Sequence, residues 1–315
     1  MNNRKIKIGV IGVGYLGKFH VKHLNNLDLY DLVGIYDINQ KQANSFSLKN
    51  NVRSFDSMVS LLKSVDAVSI VTPTEFHFPI ANEALNHGCH VFIEKPITDV
   101  VSDANKILQK SIKRKKIIHV GHIERLNPAF KKYHSISTNP LFIECHRLTK
   151  INKRSMDISV VLDLMIHDID LILMVVKSQV KEIIADGICV ISSNIDLANV
   201  KLIFENGVVA NLTASRISNK DMRKMRVFEN KKYSSIDLLN KEVVSYQAIR
   251  NESGNLEFHN QNDAVENYDA LAAELIHFHT TIVKNDLNTE NISNAIEALK
   301  IANEINQIIS MKLKK

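Results

Sequence analysis

The segment Gly12-Val13-Gly14-Tyr15-Leu16-Gly17 restricts this chain more than any other. It follows the β-branched run Ile6–Ile11 and opens a stretch of helical period, Leu16–Leu27. Glycines at this spacing, between a strand and a helix, divide the labour. The first takes a tight turn, the second lets backbone approach a pyrophosphate, and the third lets helix and strand pack closely. The helix N-terminal amides then face the phosphates. Asp37 stands 20 residues beyond Gly17, at the end of the next strand, Asp31–Tyr36, where a carboxylate accepts from ribose hydroxyls. A carboxylate also repels a 2′-phosphate. Ile38-Asn39-Gln40 supply no arginine and Lys41 is the one nearby cation, so NAD is favoured over NADP. Gly12, Gly14, Tyr15, Leu16, Gly17 and Asp37 are the expected cofactor contacts.

Short apolar runs continue to alternate with amphipathic stretches: 40–48 helix, 52–55 weak strand, 57–63 helix, 67–71 strand, 78–86 helix, 90–93 strand, 102–113 helix and 117–120 strand. Six strands with intervening helices predict a doubly wound parallel sheet, an α/β Rossmann domain over 1–121. The pattern then changes. Leu141–Leu148 alternates like a strand with one wet face. Val160–Val176 reads as one strongly apolar helix carrying Asp163, His167, Asp168 and Asp170. Strand-like runs follow near 180–190, 197–204, 207–214, 224–229, 233–238 and 242–247, with Asn206-Gly207 as a hairpin signal. Helices over 267–284 and 292–310 end the sequence. Residues 122–315 are thus expected to form an α+β domain with a large, mainly antiparallel open sheet. With 315 residues, two domains match the usual roughly 100–200 residues per domain.

Composition removes other classes. Hydrophobic residues at 45% and charged residues at 23% are those of a globular chain. No stretch approaches the ~20 apolar residues of a membrane helix. The basic start Met1–Lys5 leads only into Ile6–Val13, which reads as a strand and not a signal peptide. Cys89, Cys145 and Cys189 stand far apart in no CxxC pair, which fits a reducing cytoplasm. Net charge is +6, but aromatics are 6%, Trp is absent and no nucleic-acid motif is present, so neither nucleic acid nor membrane is expected as a partner. The histidines show no third ligand at a metal spacing, and no metal is expected; His20 and His23 share a helix face and read as structural.

Ligands in open α/β sheets bind beyond strand carboxyl ends. Thr72 and Lys95 both end strands, and Pro96 permits a cis bond before it. His77 either lines the nicotinamide end or simply opens a helix. Asp163 and His167, at i and i+4 on a regular helix, share one face ~6 Å apart along the axis. A carboxylate beside an imidazole orients it and favours its charged form. Their neighbours Val160-Val161-Leu162 and Leu171-Ile172-Leu173 bury the helix, and buried ionisable groups need partners or a function.

Thr72-Pro73-Thr74-Glu75-Phe76-His77, Glu94-Lys95-Pro96 and Asp163-Leu164-Met165-Ile166-His167-Asp168-Ile169-Asp170, with the glycine loop, resemble the glucose-fructose oxidoreductase/inositol dehydrogenase (Gfo/Idh/MocA) family over essentially the whole chain. The resemblance implies that Lys95, Asp163 and His167 surround the reacting sugar carbon, and that Thr72, His77, Glu94 and Lys95 lie at the cofactor. Gly121-His122-Ile123-Glu124-Arg125-Leu126-Asn127-Pro128-Ala129, paired with 160–171, is similar to a narrower branch, the UDP-N-acetylglucosamine 3-dehydrogenases. Those oxidise a sugar 3-hydroxyl to a ketone, which an aminotransferase then converts in a lipid A precursor route. A UDP-sugar carries a diphosphate, which Arg and Lys bind well. Arg125, Arg147, Lys150 and Arg154, with Lys95, Asp163 and His167, are the expected substrate contacts. The family also implies a homo-oligomer, dimer or tetramer, covering the open sheet. A dehydrogenase of another sugar or polyol, and a catalytically silent NAD-binding regulator, stay open as alternatives; Lys95, Asp163 and His167 weigh against the second.

Overall fold

The computed structural model describes residues 5–137, 139–151, 156, 158–251 and 255–314. The chain divides into two compact units, Met1–Ile123 with Asp269–Ile296, and Glu124–Tyr268 with Glu297–Lys315.

In the first unit, β1 (Ile6–Ile11), α1 (Tyr15–Asn26), β2 (Tyr30–Tyr36), α2 (Gln40–Asn50), α3 (Met58–Leu62), β3 (Ala67–Ile70), α4 (His77–Asn86), β4 (His90–Glu94), α5 (Val101–Arg114) and β5 (Ile118–Gly121) follow in order. The sheet is parallel, with strand order β2-β1-β3-β4-β5. Its centre, β3, is buried at every position, as a strand covered on both faces must be. Five strands form where six were expected. Residues 52–55 make only one isolated bridge, Ile35 to Ser54, because this short run turns at once into α3.

The second unit opens with α6 (Pro128–Ile136), which the sequence reading did not anticipate; Asn127 caps it and Pro128 takes its first position. β6 (Pro140–Lys150), a π-helical turn (Val161–Met165), α7 (Ile166–Val176), β7 (Val180–Ile188), β8 (Leu197–Phe204), β9 (Val209–Ser218), β10 (Met222–Glu229), β11 (Lys232–Asp237), β12 (Glu242–Arg250) and β13 (Leu256–Asp263) follow. The strands order as β13-β12-β11-β10-β6-β9-β8-β7, all antiparallel except β6 with β9. Asn206-Gly207 turns β8 into β9, with Gly207 at φ 85° and the Asn206 side chain accepting from Val208 N–H. One sheet face packs Ile143, Val200, Leu212 and Val227 against Ile166, Ile169 and Ile172 of α7. Across β6, β10, β11 and β12 on the other face runs a row of rings: Phe142, Phe228, Tyr233 and Tyr246, with successive centroids 5.9, 5.0 and 5.8 Å apart.

The chain returns in α8 (Ala270–Val283) and α9 (Glu290–Leu313). Residues 269–296 belong to the first unit, where the expected division at 121 had left a single segment. The reason is packing. Leu275 and Phe278 join the core of the parallel sheet, and Tyr30 donates to Leu275 O at 2.7 Å. The Asn291 side chain accepts from Val120 N–H at 2.7 Å.

Candidate active site

The glycines of the first unit behave differently from one another. Gly12 sits at φ +93°, and a Cβ there would lie 2.5 Å from Val71 O. A Cβ on Gly17 would overlap Gly12 O. Around Gly14 nothing lies within 4 Å of such an atom. Gly12 and Gly17 therefore serve the fold, while Gly14 leaves open space at the N-terminus of α1. That helix start has no side-chain cap and no acid in its first turn, so its amides stay available to an anion. Tyr15 and Leu16 are exposed beside it.

Asp37 closes β2 and accepts from Val13 N–H and Asn39 N–H, both at 2.9 Å. Gln42 of α2 donates to Val13 O at 3.1 Å, so both polar groups of Val13 are held and the loop is set before any ligand arrives. Sequence reasoning passed over Gln42, whose partner is a backbone carbonyl that no motif reveals. Each Asp37 oxygen keeps a lone pair for a hydroxyl. Thr72, just past β3, has a buried Oγ1 without a hydrogen-bond partner among the described residues. An open anion-binding helix start, a carboxylate and an unsatisfied hydroxyl, all beyond strand carboxyl ends, fit a dinucleotide with its pyrophosphate at Gly14, its ribose at Asp37 and its polar head group toward Thr72.

Two expected cofactor contacts are corrected. His77 opens α4 and is 1% exposed; its Nδ1 lies 2.9 Å from Pro96 O and its Nε2 2.9 Å from Thr72 O. Both ring nitrogens lie against backbone carbonyls, to one of which the single N–H of the neutral ring donates, so the imidazole is turned into the Thr72 and Pro96 backbone and does not face a ligand. Burial pushes its pKa down. Glu94 also turns inward, its Oε1 3.0 Å from His20 Nε2 and its Oε2 accepting from Lys95 N–H at 3.2 Å. The Lys95–Pro96 bond is cis.

In the second unit Asp163 lies in the π-helical turn and His167 in the first turn of α7. The regular helix expected over 160–176 is interrupted here, with Ile166 N–H reaching Val161 O five residues back. Such wide turns recur at functional sites. Asp163 and His167 are half-buried, between the buried Val161, Met165, Ile166 and Asp168.

The arginines do not do what was expected of them. Arg147 is 2% exposed. Its Nε and Nη2 donate to Asp168 Oδ1 at 3.0 and 2.7 Å, and its Nη1 to Glu124 Oε1 at 2.8 Å. Arg223 reaches the same Glu124 oxygen at 3.5 Å, so two cations face two carboxylates. Burial pushes the Glu124 carboxyl up, but Arg147 outweighs it and holds Glu124 below the usual carboxylate range. Arg125 Nε donates to Asp170 Oδ2 at 2.7 Å. Arg125 and Arg147 are thus committed to ion pairs that fix α7 and are not diphosphate ligands. The alternation of β6 held the clue: Arg147 is in phase with the buried Ile143 and Cys145, not with the wet Glu144 and His146. Lys150 is exposed at the end of β6, and Arg154 lies outside the described residues. No cluster of metal-ligating side chains occurs among the described residues.

The profile of an oxidoreductase family with an NAD-binding Rossmann fold matches residues 6–122, and that of the GFO/IDH/MocA C-terminal domain matches residues 135–232. The UDP-N-acetylglucosamine 3-dehydrogenase of Acidithiobacillus ferrooxidans is 37% identical over 242 residues, 76% of this chain and 77% of that enzyme. The chain belongs to the Gfo/Idh/MocA family of oxidoreductases. A solved structure of the A. ferrooxidans enzyme superposes with a TM-score of 0.91 at 32% identity, covering 98% of this chain and 99% of that one. The family also supplies the myo-inositol 2-dehydrogenase of Thermotoga maritima, 26% identical over 67% of this chain and 69% of that enzyme. The family's first domain is a nicotinamide-dinucleotide domain, as the glycine cradle requires. Among the described residues no helix is long and apolar enough to cross a membrane.

Proposed function

We propose that this chain oxidises the 3-hydroxyl of UDP-N-acetylglucosamine to a ketone with NAD, in the cytoplasm. The observation that carries the reading is the likeness over nearly the full length to the A. ferrooxidans enzyme of that activity, in a chain that carries Lys95, Asp163 and His167. Asp37, which follows β2 and accepts from Val13 N–H, supports NAD over NADP, because a carboxylate at that position repels a 2′-phosphate.

A bound nicotinamide supplies the hydride acceptor. His167 takes the hydroxyl proton, Asp163 orients the imidazole, and the Lys95 ammonium stabilises the developing alkoxide. Lys150 and Arg154 are the cations assigned to the diphosphate. The keto product suits an aminotransferase as the next enzyme. The aromatic row from Phe142 to Tyr246 supports a homo-oligomer in which a second copy covers the open sheet face.

The test is incubation with NAD and UDP-N-acetylglucosamine, read by NADH absorbance and by mass spectrometry for a product two hydrogens lighter, with NADP, free N-acetylglucosamine and inositols as comparisons. The expected result is turnover of the UDP-sugar with NAD. Turnover of an inositol alone would move the assignment elsewhere in the family, and no turnover of any sugar would favour a silent regulator. In the same assay His167→Ala lowers kcat by about 10²–10⁴-fold, the usual loss of a general base, and leaves NADH affinity nearly intact. Near-normal kcat at every pH would remove His167 from the base role.

A further inference from the structure

His20 lies three residues beyond the last glycine of the loop and is 1% exposed. It has two polar ring atoms to satisfy in a dry core, and both find partners on neighbouring strands. Nδ1 is 2.9 Å from Ser69 Oγ on β3, and Nε2 is 3.0 Å from Glu94 Oε1 on β4. The ring packs edge-on against Phe92, centroids 5.3 Å apart, which fixes its plane. Gly121 of β5 closes the far side, where a Cβ would come 3.1 Å from Glu94 Oε1. The other Glu94 oxygen accepts from Lys95 N–H.

The titratable groups that act on this carboxylate are His20 on α1 and Lys95 beside it; His77 on α4 feels Glu94 and Asp99 together. Burial pushes Glu94 up, and the His20 hydrogen bond with the charges of His20 and Lys95 more than offsets it, keeping the carboxylate ionised. Remove the His20 donor, and Glu94 Oε1, on a half-buried side chain, loses its hydrogen bond. It then protonates or turns toward another donor, and the anchor on the Lys95 backbone goes with it.

We propose that His20 is a positioning residue that acts through Glu94 to fix Lys95, with Ser69 setting the imidazole from behind. This rests on the catalytic reading of Lys95. The glycine cradle and Asp37 are untouched by it, so the effect belongs in kcat, not in cofactor binding.

Two amide side chains separate the halves of the relay. In His20→Gln the amide nitrogen reaches the Nε2 position and still donates to Glu94. In His20→Asn it reaches only the Nδ1 position, toward Ser69. With the whole chain, NAD and UDP-N-acetylglucosamine, His20→Asn should lower kcat about 10–100-fold, the scale of a small misplacement of a reacting group. His20→Gln should stay within about threefold of the native enzyme, and NADH affinity by fluorescence titration should be unchanged in both. A second readout needs no substrate. With lysines labelled by ¹³C-methylation, the Lys95 resonance, identified by its absence in Lys95→Ala, should move in His20→Asn and stay in His20→Gln. Equal kcat in the Asn and Gln variants, or an unmoved Lys95 resonance in His20→Asn, overturns the inference while Lys95→Ala remains inactive. Normal kcat in Lys95→Ala instead overturns the reading of Lys95, and the inference falls with it.

Discussion

Two polar sites, the glycine loop in the first unit and the ion pairs around α7 in the second, are held in opposite ways. In the first, the groups at the strand ends are arranged by backbone: a glycine at φ +93°, an uncapped helix start, and a carboxylate accepting from the N–H of Val13 in the glycine loop. In the second, side chains grip one another, with Arg147 joining Glu124 to Asp168 and Arg125 holding Asp170 beneath α7. Backbone geometry is dictated locally and so is visible in a motif. The choice of an ion-pair partner is tertiary and is not. Such a pair says little about net stability, but breaking one leaves a charge stranded.

The largest expected effect tests the second half of that contrast. Arg147→Met strands Asp168, leaves Glu124 with only Arg223 and Asn127, and should lower stability by about 3–5 kcal/mol in urea unfolding. Lys150→Met, on the same strand but exposed, should change it by less than about 0.5 kcal/mol. If both replacements are mild, the ion pairs of Arg147 do not hold α7 in place, and Arg147 returns to the candidate diphosphate ligands.

The first half is tested on the glycines. Gly17→Ala forces a Cβ into Gly12 O and should cost about 1–3 kcal/mol or more, by overpacking against backbone that cannot step aside. Gly14→Ala meets open space at φ −66°, an ordinary angle for alanine. It should leave the melting temperature nearly unchanged and weaken NADH by about tenfold or more, about 1.4 kcal/mol, because the methyl fills the pyrophosphate's place. A Gly14→Ala protein that binds NADH normally would show that the phosphates approach elsewhere.

The same contrast explains what was legible in the sequence. The parallel sheet, the mainly antiparallel sheet, the glycine loop and Asp37 follow from local periodicity and turn chemistry, and so were readable. The basic stretch from Arg147 onward was misread because charge was counted without phase: Arg147 still belongs to the alternation of β6, two residues beyond the buried Cys145. The π-helical turn at Asp163 left no mark, since the apolar residues around it suit a regular helix equally well. The return of 269–296 to the first unit depends on Leu275 and Phe278 finding a core far away in sequence. His20 looked structural for the same reason, its partners Ser69 and Glu94 lying 49 and 74 residues away.

Acid should separate the units in a fixed order. His90, at the start of β4, accepts from Ile117 N–H through Nδ1 at 3.1 Å, a bond that only a ring unprotonated at that nitrogen can make. Burial, aided by the charge of Lys116, lowers its pKa to about 4 from an ordinary 6.5. The unfolded chain therefore binds the extra proton first. The stability from His90 is complete above pH 6.5 and is lost as the pH falls toward 4, at up to ~1.4 kcal/mol per unit for one proton. Solvent access to the ring trims the total to about 1–3 kcal/mol. For Asp196, in the second unit, burial instead pushes the pKa up. Hydrogen bonds from Ile191 and Val190 N–H and from the Ser192 hydroxyl and N–H outweigh this and bring it down from 3.8 to about 2. Its contribution is complete above pH 3.8 and is lost only as the pH falls toward 2. Hydrogen exchange read peptide by peptide, corrected for intrinsic pH dependence, should show β4 and β5 losing protection between pH 6.5 and 4 while β7 and β8 keep theirs. His90→Asn offers an amide oxygen to Ile117 without titrating, so it should flatten the loss in β4 and β5 and leave β7 and β8 as they were. Simultaneous loss in both units above pH 5, or an unchanged profile in His90→Asn, would mean that acid acts on groups other than these two.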